Sequence, residues 1–131
     1  MNIFGIGTDI VNIKRMEKSL RRNGDAFKKR IFSKNEIIYC ERKKNPSTFY
    51  AKRFAAKEAF SKALGTGIRK GVNLKNIEIS NNIHGKPFIL LKGSVANYLK
   101  KKVKTKKFDI HLSLSDDKPW AQATVIISCS K

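Results

Sequence analysis

The sequence predicts an α+β fold in which a mainly antiparallel sheet packs against a long central helix. Residues 108–115 alternate apolar and polar side chains, and the apolar stretch 120–129 follows after a short turn, which is the pattern of two paired strands. Between Pro46 and Gly65 the chain has a helix start, a long helical stretch and a glycine stop. At 131 residues the chain has the length of one ordinary domain, predicted to span residues 1–131.

The N-terminal apolar run, Ile3 to Ile6, predicts a buried strand that ends near Asp9. Gly5 and Gly7 within it would let another backbone or a ligand approach closely. A carboxylate at the tip of a strand is a candidate metal ligand. Asp9 could equally cap the helix that follows, and the two roles are compatible.

Helical periodicity begins at Val11 and is predicted to end at Gly24. One side of this helix, called the basic face below, is formed by Lys14, Arg15, Lys18, Arg21 and Arg22. Like charges at this spacing repel, so the basic face is either a solvated surface or a docking site for an acidic partner. Ser33 followed by Glu36 is a capping box that predicts a second helix.

The long central helix is predicted with Asn45 as its N-cap, and it carries Glu58 and Lys62 on one side. It leads into the loop Gly65, Thr66 and Gly67, where backbone N–H groups could approach an anion. Carboxylate, ammonium and bare backbone together suit a ligand made of metal and phosphate. The alternative is an amphipathic helix with a favourable ion pair and a glycine cap.

The second half of the chain predicts a hairpin and a short basic helix before the C-terminal strands. Residues 74–79 and 87–91 are predicted strands joined by a polar turn that contains His84, and this hairpin is expected to join the N-terminal and C-terminal strands in one sheet. A helix is expected from Gly93 to about Lys104. In the strand that follows, His111 lies on the polar side, in the same layer as the serines.

The charge balance is strongly basic, with 29 Lys and Arg against 10 Asp and Glu and a formal net charge of +19. Such a charge favours an anionic partner, although composition does not choose which one. No apolar run approaches a membrane span and the first residues lack the order of a signal peptide, so we expect a cytoplasmic protein. Cys40 and Cys129 have no metal-ligand spacing and are expected to be free thiols.

Three separated motifs, GIGTDIV, RFAAKEAFSKALGTGI and HLSLSDD, resemble the bacterial holo-[acyl-carrier-protein] synthases of the 4′-phosphopantetheinyl transferase superfamily. The HGKP turn and the ATVII strand extend the resemblance over nearly the whole chain. It implies the fold of that superfamily and transfer of the phosphopantetheine arm of coenzyme A to a serine of acyl carrier protein, a step of fatty acid biosynthesis. It also implies a homotrimer with active sites between subunits.

The resemblance further implies roles for individual residues. Asp9 and Glu58 would bind Mg²⁺, and both would act in catalysis together with His111. The candidate contacts to coenzyme A are Arg53, Lys57, Lys62, Gly65, Thr66, Gly67, Lys86 and Pro87. The basic face, centred on Arg15, would dock the acidic carrier protein. The group that takes the serine proton stays open among His111, Glu58 and a metal-bound water.

Three positions depart from the family pattern: Asn12 stands where Glu is common, His84 replaces the Asn of an NGKP turn, and Asp116 stands where a second histidine is common. A basic nucleic-acid-binding module is the alternative function, but the lysines are scattered and no known nucleic-acid motif is present. A carrier-protein binder without activity is a third possibility. We expect neither a nucleic acid nor a membrane as the partner.

Overall fold

The computed structural model describes residues 1–66, 72–104 and 107–130. Over these ranges the chain forms, in order, β1 (Asn2–Asn12), α1 (Ile13–Ile31), α2 (Lys34–Glu41), α3 (Pro46–Leu64), a 3₁₀ turn (Leu74–Asn76), β2 (Ile77–Asn81), β3 (Pro87–Leu91), α4 (Ser94–Val103), β4 (Phe108–Asp117) and β5 (Trp120–Cys129). In this described part, no helix is both long and apolar enough to cross a membrane.

The strands form two antiparallel sheets, one of three strands in the order β1-β5-β4 and one of two strands, β2-β3. The predicted α+β class, with antiparallel strands against a long helix, is confirmed. The expectation that the hairpin joins the main sheet is wrong. Its apolar residues, among them Ile77, Ile79 and Ile89, pack into the core cluster beside α3 instead of extending the hydrogen-bonded ladder.

Close packing of β1 against α3 sets the geometry of the molecule. A side chain on Gly5 would clash with the carbonyl oxygen of Ala63, and one on Gly7 would clash with that of Ala59. The small side chains of α3 and the glycines of β1 therefore bring the two backbones together. This confirms the expectation that the glycines admit another backbone, and it places the first half of β1 beside the second half of α3.

Asp9 lies within β1 and not at its tip, because β1 pairs with β5 from Asn2 to Asn12. The carboxylate consequently does not cap α1. That role belongs to Asn12, whose side-chain oxygen accepts a hydrogen bond from the backbone N–H of Arg15. Asn12 is one of the positions that departs from the family pattern, and asparagine is among the best N-cap residues.

The helix boundaries follow the prediction in part. The predicted break at Gly24 is confirmed, because its φ of 51° and ψ of −135° interrupt α1, and helical residues then resume and reach Ile31. Residues 74–76 form a 3₁₀ turn instead of the start of a strand. The Ser33–Glu36 capping box and the left-handed Gly65 at the end of α3 are both as predicted, whereas Asn45 makes no side-chain cap hydrogen bond.

Candidate active site

Asp9 on β1 and Lys62 on α3 form an ion pair in which Lys62 Nζ lies 3.1 Å from Asp9 Oδ1. Lys62 also donates to the carbonyl oxygen of Thr8 at 2.9 Å. The side chain of Asp9 is 18% exposed and that of Lys62 is 52% exposed, so both can reach solvent. The two residues are 53 positions apart in sequence, and the close approach of β1 to α3 brings them together.

Glu58 lies one helical turn before Lys62 and lines the same cleft as Asp9. Partial burial and the negative charge of Asp9 raise the pKa of the Glu58 carboxyl, and the ammonium of Lys62 opposes this shift. Two carboxylates therefore share one cleft, and Lys62 is paired with one of them. Such an arrangement favours an additional cation.

The residues present fit a Mg²⁺ ion. Asp9 and Glu58 supply hard oxygen donors, and the pKa of Glu58 is raised first by burial and then by the negative charge of Asp9. Among the described residues no group of three or more His, Cys, Asp or Glu side chains is gathered. The remaining coordination positions would accordingly come from water and phosphate oxygens, the usual situation for Mg²⁺.

The cleft around Asp9 and Glu58 has a volume of about 380 Å³ and extends along α1. Arg15 lines it directly, so one end of the basic face borders the carboxylates. All five residues of the basic face are exposed. Arg21 is ion-paired with Glu17 of the same helix, which reduces the positive charge at that end.

His111 lies on the other side of the three-stranded sheet. Its neighbours along β4, Ile110 and Leu112, pack into the core beneath α3, whereas His111 is exposed and its Nε2 lies 3.0 Å from the hydroxyl of Ser128. Because side chains alternate along a strand, His111 faces away from α3, and β5 separates β4 from β1. Within one chain, His111 and Asp9 are not brought together.

Lys57 is fully buried, with an exposure of 0%, and does not line the cleft. Its ammonium lies 2.7 Å from Glu36 Oε1 and donates to the carbonyl oxygens of Leu74 and Ile77 at 2.8 and 2.6 Å. All three of its hydrogens are thus used inside the protein. Burial lowers the pKa of Lys57, and the Glu36 carboxylate opposes this. Lys57 is therefore a structural residue, and the expected contact of Lys57 with coenzyme A does not fit its buried position.

Arg53 is also buried, and its guanidinium stacks on the ring of Tyr39 at 3.9 Å and donates to Asn81 Oδ1 at 2.7 Å. Asn81 in turn donates to the carbonyl oxygen of Gly85 in the hairpin turn. Arg53 therefore supports the turn that leads to Lys86 and Pro87. None of these three predicted contacts lines the cleft around Asp9 and Glu58.

The glycine loop after α3 differs from the expected cradle of free N–H groups. The N–H of Gly65 donates to the carbonyl oxygens of Ser61 and Lys62, and that of Thr66 donates to Ser61. Both N–H groups thus close the end of the helix. Gly67, the third residue predicted here, lies outside the described residues.

Two aromatic residues, Phe54 and Phe27, form walls of the cleft that sequence reasoning did not assign to the site. The helical spacing predicts Phe54 on the same side of α3 as Glu58, but an aromatic residue there was expected to pack in the core. Phe27 had no such signal, because the kink at Gly24 redirects the second part of α1.

Comparison with known proteins gives consistent results. The family model described as the 4′-phosphopantetheinyl transferase superfamily matches residues 5–125. A holo-[acyl-carrier-protein] synthase of Aliivibrio fischeri is 49% identical over 126 residues, which cover 96% of this chain and 98% of that protein. The crystal structure of the synthase from Neisseria meningitidis superposes with a TM-score of 0.87 at 38% identity, covering 96% and 98% of the two chains.

The synthase from Bacillus anthracis, solved in complex with CoA (3′,5′-ADP), superposes with a TM-score of 0.80 at 38% identity and covers 99% of this chain and 100% of its own. Both the sequence and the fold therefore match over nearly the full length of this chain. The chain belongs to the 4′-phosphopantetheinyl transferase superfamily and, within it, to the holo-[acyl-carrier-protein] synthase family.

Proposed function

We propose that this protein transfers the 4′-phosphopantetheine group of coenzyme A to a serine of an apo acyl carrier protein in the cytoplasm, as a step of fatty acid biosynthesis. The observation that carries the proposal is the cleft in which Asp9, Glu58 and Arg15 meet, with Lys62 paired to Asp9. It combines a cation site, a phosphate-binding lysine and a basic surface. A reaction between a pyrophosphate and an acidic protein requires these three features.

In this reaction the serine hydroxyl oxygen forms a bond to the phosphorus that carries the pantetheine. The bond from that phosphorus to adenosine 3′,5′-bisphosphate breaks, and a base takes the serine proton. Asp9 and Glu58 would hold Mg²⁺, which when bound supplies a Lewis acid that offsets the charge of the pyrophosphate. Lys62 is exposed enough to turn from Asp9 to a phosphate oxygen and to stabilise the developing charge.

The basic face would dock the acidic carrier protein, with Arg15 closest to the carboxylates. Complementary charge of this kind mainly speeds association and orients the partner. The target serine would then enter the cleft from the side of α1. Arg53, Lys86 and Pro87 would act at a distance from the carboxylates, by shaping the hairpin turn for the nucleotide end.

We further propose a homotrimer in which His111 of one subunit completes the cleft of another. The exposure of His111 on the face of the sheet remote from α3 supports this, since it has no access to its own Asp9. The exposed face of the sheet also carries Ile6 and Ile10, each 61% exposed on β1. Apolar residues at such positions suit a subunit interface.

Mass spectrometry of the carrier protein tests the transfer. The protein, apo carrier protein, coenzyme A and Mg²⁺ are incubated together, and the carrier is expected to gain the mass of one phosphopantetheine group. EDTA should abolish the gain. Binding of the carrier without a change of mass would contradict the proposal and would favour a carrier-protein binder without activity.

Subunit mixing tests the shared site. His111→Ala and Glu58→Gln are each expected to lower turnover strongly, and a mixture of the two variants, unfolded and refolded together, should recover part of the activity. The recovery arises because some clefts then combine an intact Glu58 with an intact His111. A mixture no more active than the separate variants would contradict the sharing of sites, while a monomer by light scattering would contradict the trimer.

A further inference from the structure

A hollow with apolar walls and a basic rim, called the basic hollow below, lies between the end of α1, α2 and the 3₁₀ turn. It has a volume of about 370 Å³ and shares no lining residue with the cleft of Asp9 and Glu58. None of its residues belongs to the three-stranded sheet. The basic hollow is therefore separate both from the candidate active site and from the proposed subunit interface. Three apolar residues and three lysines line it: Phe32, Ile37, Ile38, Lys29, Lys34 and Lys75.

The apolar part of the basic hollow reaches from the core to solvent. Phe32 is fully buried, Ile37 is partly buried, and Ile38 is 42% exposed. A ligand that covered Ile37 and Ile38 would remove apolar surface from water, which is favourable. The volume lies within the range of small-molecule sites, roughly 300–1,000 Å³. The hollow thus has the size and the walls for one small apolar group.

The three lysines of the rim come from three different elements, and none of them forms an ion pair within the described part of the chain. Lys28, the neighbour of Lys29 in sequence, is by contrast 2.9 Å from Glu41. Lys34 is the first residue of α2, where its charge is unfavourable because a helix N-terminus is itself positive. An anion at the rim would relieve this concentration of positive charge.

The buried carboxylates nearest to the basic hollow already have other partners. Glu36 lies 2.7 Å from the ammonium of Lys57. Glu78 accepts hydrogen bonds from the Ser33 hydroxyl at 2.6 Å and from Lys92 at 3.0 Å. The protein therefore does not neutralise the rim with these glutamates, and the counter-charge has to come from a ligand or from solvent ions.

We propose that the basic hollow binds a fatty carboxylate, with its chain against Ile37 and Ile38 and its carboxylate between the three lysines. Apolar walls and unpaired cations lie side by side, so the matching ligand is an anion with an apolar tail. A phosphate would leave the walls uncovered, and a neutral lipid would leave the lysines unpaired. The methylene stems of the lysines add further apolar contact for the first carbons of the chain. The small volume suits a single chain. This site goes beyond the proposed transfer and does not depend on it.

Titration calorimetry with decanoate tests the proposal. Decanoate is expected to bind, whereas decanol, which has the same chain without the charge, should bind at least about tenfold more weakly. Acetate, which has the charge without the chain, should also bind at least about tenfold more weakly. Equal binding of decanoate and decanol, or of decanoate and acetate, would overturn the proposal.

Two variants locate the bound decanoate. Ile38→Ser removes part of the wall and Lys34→Glu reverses one charge of the rim, and each should weaken the binding by about tenfold. The matched controls are Leu90→Ser, at an apolar residue that is 43% exposed on β3, and Lys101→Glu, at an exposed residue of α4. Both controls should stay within about twofold of the wild type.

The controls also detect attraction by the net charge of the protein. Equal weakening by Lys34→Glu and Lys101→Glu would mean that decanoate responds to net charge, and this would overturn the proposal. Circular dichroism checks that each variant is folded. Lys75→Glu, at an exposed residue of the 3₁₀ turn, gives a second reading of the rim that does not alter α2.

Larger anionic occupants would give a different result. If vesicles of phosphatidylglycerol, or the carrier protein, bind the wild type and are released by Lys34→Glu while decanoate does not bind, the basic hollow is a macromolecular docking surface and the proposal is overturned.

The proposal and the transfer can fail separately. Saturating coenzyme A should leave the affinity for decanoate unchanged, because the basic hollow and the cleft share no residue. Displacement of decanoate by coenzyme A would overturn a separate site. A protein that binds decanoate in the hollow but leaves the carrier mass unchanged overturns the transfer alone. A protein that modifies the carrier but does not bind decanoate overturns the fatty carboxylate site alone.

Discussion

Adjacent residues of α3, Lys57 and Glu58, belong to two polar clusters with opposite properties. Lys57 is fully buried and meets Glu36, itself 1% exposed, together with two backbone carbonyls. Glu58 faces a cleft, shares it with a second carboxylate, and has a raised pKa. The first cluster uses all of its hydrogen-bonding capacity inside the protein, whereas the second holds two carboxylates beside one paired lysine at a solvent-accessible cleft.

This difference in burial and pairing distinguishes a structural cluster of charges around Lys57 from a candidate functional cluster around Glu58. A buried charge is tolerated only when it is paired and hydrogen-bonded, so a saturated cluster stabilises the fold and has nothing left to offer a ligand. Like charges held together at a solvent-accessible cleft cost stability, and a bound cation removes that cost. Sequence position alone does not distinguish the two residues, because both stand in the same KE dipeptide.

The largest expected effect is on stability, from Lys57→Ala. Removing the ammonium leaves Glu36 buried without its counter-charge, and the free energy of unfolding should fall by about 3–5 kcal/mol. Urea denaturation measures the change. Arg21→Ala is the control, because the side chains of the Arg21–Glu17 pair are 74% and 44% exposed and the pair should contribute less than about 1 kcal/mol. Equal losses in the two variants would mean that the Lys57 cluster is not structural.

The second effect is on turnover, from Glu58→Gln. Removing one carboxylate of the proposed cation site should reduce kcat by about 100-fold or more, while thermal unfolding shows no loss of stability. Asp25→Asn, an exposed carboxylate of α1 outside both the cleft and the basic face, is the control and should leave turnover unchanged. A Glu58→Gln variant that unfolds earlier but keeps its kcat would reverse the roles assigned to the two clusters.

A smaller effect, on recognition, is expected from Arg15→Glu. Charge reversal at the edge of the cleft should raise the KM for carrier protein by about tenfold and weaken its salt dependence, since attraction becomes repulsion. The KM for coenzyme A should change little. Lys100→Glu, the same charge reversal on α4, serves as the comparison. Parallel rises in both KM values would place Arg15 at the nucleotide and not at the carrier protein.

The smallest effect is on the pH dependence of stability, where two glutamates should differ in sign. Burial raises the pKa of Glu78, but hydrogen bonds from Ser33 and Lys92 outweigh it and the net pKa is lowered. Ionised Glu78 therefore stabilises the fold above its unfolded pKa, and this contribution is lost as the pH falls through its folded pKa. Glu58, with a raised pKa, destabilises the fold when it is ionised.

Urea unfolding between pH 3 and pH 8 compares the two. Glu78→Gln should lower the free energy of unfolding at neutral pH and make its decrease toward acid pH smaller. Glu58→Gln should raise the free energy of unfolding at neutral pH and have no effect at a pH where Glu58 is protonated in both the folded and the unfolded state. The opposite order of the two variants at neutral pH would contradict the contrast between a saturated and an unsaturated carboxylate.

Much of the fold could be predicted because its signals are local. The alternation of Ile110, Leu112 and Leu114 placed β4 correctly, and Ser33 with Glu36 identified the start of α2. Proline at the start and glycine at the end bounded α3. The strand length of β1 was underestimated, since it depends on pairing with β5 more than 100 residues away, a contact that no local pattern records.

The sequence by itself determined which residues are candidates for the site, because the order of its motifs matches a known family and the side-chain types suit a metal and a pyrophosphate. Only the tertiary structure decided which residues meet. Two glycines of β1 and the alanines of α3 let the backbones approach closely, and this brings Asp9 to Lys62. Because side chains alternate along β4, His111 points to the opposite face of the sheet. Lys57 and Glu58 are neighbours in sequence, but successive residues of a helix point about 100° apart, so one side chain enters the core and the other faces the cleft.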